Sequence, residues 1–288
     1  MTAMSLSSLT SFNANNRRQI FSLIALHLLW SMAVLTGWAA GLSIPAANPW
    51  WATVFLILQL FAAAQLLLPL LRMQPQERNR VFYLFWGGAL VVLVWLVNRF
   101  APGGPWQPAT SAFASGLLLL AGALVGMSLA RFVKRLWEIL PLCLVMSLAD
   151  FSSWLFGPTA DFARQIENHY RAPVGPPPLV DMLLVKLATP GATSLMPVFG
   201  VADWIVAVFF VGVAQRHGFN DNLLGTPTFV LSRQHRLGRY LPLSIVALFA
   251  AVMLAQNSGL FIPALPLIAL VMLIWFGLAS CIRKDSRA

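Results

Sequence analysis

Apolar residues in this chain run in blocks too long for a strand and too continuous for the one-sided stripe of a soluble helix. The blocks cover 20–43, 50–71, 81–99, 109–130, 136–157, 194–215, 240–257 and 259–282. About 20 apolar residues at a rise of about 1.5 Å each are needed to cross a bilayer. The pattern therefore predicts an all-α, polytopic transmembrane helix bundle of about eight spans. Between the blocks lie two kinds of break. Pro45-Ala-Ala-Asn-Pro49 and Pro102-Gly-Gly-Pro105 are turn-forming, whereas 72–80, 131–135 and 216–239 carry charge. The longest internal connector, about 158–193, holds Pro173, Pro176-Pro177-Pro178 and an apolar stretch, 179–187, too short to span. Such a stretch reads as re-entrant or interfacial, with its backbone met by protein or water.

Composition supports a lipid-embedded chain. The 288 residues are 59% hydrophobic and 10% charged, against about 25% charged in an ordinary soluble domain. The net charge of +10 is distributed as a topology signal rather than as a nucleic-acid surface. Alternate connectors, starting from the N-terminus, hold 15 of the 19 Lys and Arg, and the others hold Arg99, Arg164, Arg171 and Lys186. That bias places both termini on the cytoplasmic side, in what reads as a bacterial inner membrane. Arg17-Arg18 precede a first run long enough to span, which reads as an uncleaved helix. Cys143 and Cys281 lack CxxC spacing, and the four histidines form no HExxH pair. No metal, organic cofactor or nucleic-acid partner is expected.

Nine acidic residues are present, and two of them, Asp150 and Asp203, fall well inside apolar runs. A carboxylate at that depth is costly, faces the bundle interior and marks function. On the predicted topology Asp150 lies about 10 Å, and Asp203 about 14 Å, from the same membrane face, as a facing pair on consecutive helices would. Two carboxyls held close in low dielectric share a proton and titrate together. One can then activate water as a base while the other protonates a scissile carbonyl. The same pair would also suit a proton or cation relay, or a structural polar contact between helices.

Three elements around these acids carry a resemblance. Asp150 follows Ala149; Gly200-Val201-Ala202-Asp203 opens the second acidic helix; and Pro263-Ala264-Leu265 begins the last. Met182-Leu-Leu-Val-Lys186 precedes the second acid. The arrangement resembles the presenilin and signal peptide peptidase family of intramembrane aspartyl proteases, as a divergent member of bacterial type. That family has Tyr-Asp, Gly-x-Gly-Asp and Pro-Ala-Leu at these positions. Here Ala149 replaces Tyr, Ala202 replaces the second Gly, and eight spans stand in place of nine.

The resemblance covers about 136–288, which would be the catalytic core, with 1–135 a separate four-helix region. It implies Asp150 and Asp203 as the catalytic pair, and Gly200, Val201, Ala202, Pro263, Ala264 and Leu265 as residues shaping the site. Water is the only small molecule required. The substrate would be a transmembrane or signal-peptide-like helix, met in the bilayer. With the 158–193 connector outside, the core has the orientation of signal peptide peptidase, implying substrates with cytoplasmic N-termini. The 179–187 stretch could pair with an extended substrate by strand addition. A proton-coupled transporter and a catalytically silent membrane scaffold are the competing readings.

Overall fold

The structure is a computed structural model and describes residues 14–45, 49–73, 80–100, 104–172, 177–228, 230–231, 237–258 and 263–285. Parts of both turn-forming breaks, Pro173, Pro176 and residues 259–262 of the last apolar run lie outside these. The helices are α1 (Ala14–Gly41), α2 (Pro49–Gln65), α3 (Leu67–Met73), α4 (Arg80–Phe100), α5 (Gln107–Ala130), α6 (Ile139–Phe156), α7 (Pro158–Arg171), α8 (Val201–Arg216), α9 (Leu243–Ser258) and α10 (Ala264–Asp285). Two strands, β1 (Leu184–Leu187) and β2 (Met196–Gly200), pair antiparallel between α7 and α8.

Six helical stretches among the described residues have the length and composition of membrane spans: Gln19–Gly41, Trp50–Met73, Val81–Phe100, Gly104–Ala130, Leu136–Phe156 and Ala264–Cys281. The chain is an integral membrane protein. The other two runs expected to span are shorter as helices. α9 has 16 residues. The run 194–215 is not one helix: its beginning is extended as β2, and α8 contributes 16 residues after it. Pro197, which has no N–H to give a helix, lies in that extended part.

The core is built around α8. From Val206 to Ala214 every residue is buried, as expected of a helix apolar on all sides. α8 packs against α5, α9 and α10. The α5 contact is close because small residues form it, as in membrane bundles generally. A Cβ on Gly126 would stand 2.6 Å from the Ile205 carbonyl oxygen, and one on Gly122 would stand 2.9 Å from Trp204 Cδ1. From α8, Trp204 Nε1 donates to the Leu119 carbonyl at 2.9 Å, satisfying its one donor inside the bundle. This α5–α8 packing crosses the division drawn at 135/136 from the sequence.

Candidate active site

The hairpin sets the approach to Asp203. Its turn passes through Gly191, whose φ of +73° is the left-handed region that glycine adopts without strain. The Gly191 N–H donates to the Gly41 carbonyl at 2.9 Å and ties the turn to α1. Side chains take up backbone groups in and just after β1. The Lys186 N–H donates to Ser115 Oγ at 2.9 Å, and the Gln59 amide pairs with both backbone groups of Ala188, at 2.8 and 2.9 Å. The sheet has two strands, so among the described residues no strand lies along the other edge of β2. Within the 179–187 stretch, expected from the sequence to accept an extended partner, the Lys186 N–H is thus already taken. Met196–Gly200 presents an outer edge that no described strand pairs.

β2 runs directly into α8. Gly200 is the residue before the helix, and Asp203 is its third residue. Asp203 Oδ2 accepts the Gly200 N–H at 3.0 Å, the half of a capping box that the third helical residue supplies, and its carboxylate meets the positive end of the helix. Gly200 has room for a side chain, since a Cβ there would lie 3.4 Å from Asp203 Oδ2. Val201 is partly buried against the core, and Ala202 is exposed.

Asp150 sits in the second half of α6, half-buried as Asp203 is. Its Oδ2 accepts the Leu265 N–H at 3.3 Å, so the beginning of α10 and the first acid are in direct contact. Pro263, Ala264 and Leu265 are all partly buried. α10 packs against both α6 and α8 and bridges the helices that carry the two acids. The expected site residues lie on α6, at the β2–α8 junction and at the start of α10, and the contact that joins any of them across helices is the one between Asp150 and Leu265.

Two further acids are more deeply buried than either of these. Asp181, 2% exposed, forms an ion pair with Lys186 and accepts a hydrogen bond from the Tyr170 hydroxyl at 3.0 Å. Burial, with the Asp181 carboxylate beside it, pushes the Tyr170 hydroxyl up, so it stays a donor. An acid and a lysine five residues apart within Asp181-Met-Leu-Leu-Val-Lys186 are the signal for this pair. Asp221, 3% exposed, lies beyond α8 and accepts from Thr228 Oγ1 at 2.9 Å and the Tyr240 hydroxyl at 3.2 Å. Burial pushes its carboxyl up to about 6, against those donors. Nothing in the polar sequence around it distinguishes it from a solvated loop acid. Among the described residues no three His, Cys, Asp or Glu side chains are grouped as metal ligands would be.

No protein-family model, no curated protein and no solved structure matches the chain.

Proposed function

We propose that the chain is an intramembrane aspartyl protease that hydrolyses peptide bonds in transmembrane or signal-peptide-like helices, with Asp150 and Asp203 as its dyad. The observation that carries this reading is the contact between Asp150 and the Leu265 amide. It draws the Pro263-Ala264-Leu265 segment to one acid while α10 also packs on the helix of the other. Of the dyad, the ionised member takes a proton from water as the water oxygen bonds to the scissile carbonyl carbon. The protonated member gives its proton to the carbonyl oxygen. The tetrahedral intermediate then collapses, the C–N bond breaks, and the amine leaves with a proton returned through the dyad.

An extended substrate needs backbone partners, and the unpaired edge of β2 offers them one turn before Asp203. The proposed catalytic core is the C-terminal four membrane segments, in the orientation that admits substrates with cytoplasmic N-termini. A reporter fusion that puts residues 158–193 in the cytoplasm removes that last inference.

The test is cleavage of a panel of membrane peptides by the purified protein, beside Asp150→Asn and Asp203→Asn. Cleavage lost in both variants supports the dyad. Intact peptides with wild-type protein, together with proton flux in liposomes that depends on the same acids, would replace it with a relay.

A further inference from the structure

The α7 helix is two-faced. Thr159, Phe162, Ala163, Ile166 and Tyr170 recur at helical spacing on one side, and Asp161, Arg164, Glu167 and Arg171 take the other. A stripe of that kind docked on a protein core becomes buried. Here none of the 14 residues of α7 is buried, although the helix packs against α6 and the Leu179–Leu183 turn. Phe162 stays 41% exposed, and the segments that flank or touch α7 expose Phe156 at 89% and Leu179 at 78%. Protein covers only part of the apolar side.

What covers the rest follows from where α7 begins. It starts one residue after a membrane-spanning helix, and Gly157 makes the corner tight enough that a Cβ there would stand 2.8 Å from Ser153 Cα. The Ser153 and Thr159 hydroxyls hydrogen-bond across that corner. The first turn of α7 is therefore held at the level where the span ends. The α6 helix that precedes it has the length and composition of a membrane span and leaves Leu148, Phe151 and Leu155 exposed. The polar side asks for no anionic headgroup. Arg171 pairs with Glu167 at 2.6 Å, and Arg164 lies 3.9 Å from Asp161.

We infer that α7 is an interfacial helix that lies on the bilayer surface, with Phe162 set between headgroups and acyl chains of zwitterionic lipid. An amphipathic helix of low overall hydrophobicity settles at that depth. The inference stands apart from the protease reading, since it needs neither acid to be catalytic.

The test places a benzophenone-bearing amino acid at position 162, or at position 168 on the polar face, in full-length protein in phosphatidylcholine nanodiscs. Irradiation should give at least about tenfold more lipid adduct at 162 than at 168, and admixed phosphatidylglycerol should leave the yield within about twofold. A companion experiment leaves the chain unaltered and uses phosphatidylcholine with a photoreactive group near the glycerol. Within the labelled peptide, adducts should sit on Phe162 and Ile166 rather than on Asn168. Equal lipid labelling on both faces, protein adducts at 162, or dependence on anionic lipid would each overturn the assignment.

Discussion

The backbone N–H of Leu265 donates to Oδ2 of Asp150 across 3.3 Å. Leu265 is the second residue of α10, and its amide is among those a helix cannot satisfy from within. Asp150 thus caps one helix from another while serving as a candidate acid. The two roles separate by substitution. Asp150→Asn keeps an acceptor oxygen and should hold stability to within about 0.3 kcal/mol, whereas Asp150→Ala should lose about 1 kcal/mol. Both should lose peptide cleavage. Thermal unfolding of each variant, set beside its activity, reads the difference; equal loss of stability in the two would mean the cap contributes nothing.

Two glycines near Asp203 should respond in opposite ways. Gly126→Ala drives a methyl to 2.6 Å from the Ile205 carbonyl oxygen, and backbone must move to admit it. A cost of about 1–3 kcal/mol is expected. Gly200→Ala meets Asp203 Oδ2 at 3.4 Å and the Ala202 backbone N at 3.9 Å, and its φ of −78° suits any residue. Its stability should stay within about 0.5 kcal/mol of wild type. Melting temperatures in one detergent would rank the two, and a larger loss for Gly200→Ala would contradict the packing described.

The Asp181–Lys186 pair is buried, and its removal should be asymmetric. Asp181→Leu or Lys186→Met alone leaves a charge without its partner inside the protein, at a cost of about 3–5 kcal/mol. The double variant Asp181→Leu with Lys186→Met should recover most of that loss, because two charges no longer need desolvation. A double-mutant cycle on unfolding measures the coupling, and additive losses would show that the two side chains do not interact.

Asp221 gives the fold a pH dependence of definite sign. Its carboxyl ionises at about 6 in the folded chain, against an ordinary value of 3.8. The folded state therefore holds a proton that the unfolded state has released between those values. Stability from this group is fully present below pH 3.8 and declines as pH rises through about 6, by on the order of 3 kcal/mol. Asp221→Asn should flatten the melting temperature across that interval. An unchanged slope in that variant would assign the titration elsewhere.

How much of this was legible in the sequence varies by residue. The long apolar runs gave six spanning helices because lipid demands length and apolarity together, and nothing soluble mimics that combination. The run 194–215 misled, since an apolar strand leading into an apolar helix has no break in hydropathy; Pro197 was the local sign of extended backbone. Asp150 and Asp203 stood out as acids in apolar surroundings. Asp181 and Asp221 did not, because long-range packing buries them while their neighbours in sequence include prolines, glycines or other polar groups. Gln59 holding Ala188, 129 residues away, is a tertiary fact that no local pattern carries.

Gly200 is at once the end of β2 and the hydrogen-bond donor to Asp203. No slack chain separates the strand from the acid. A pull on the outer side of that ribbon would reach the carboxylate within a single helical turn, so strand and acid respond as one mechanical unit.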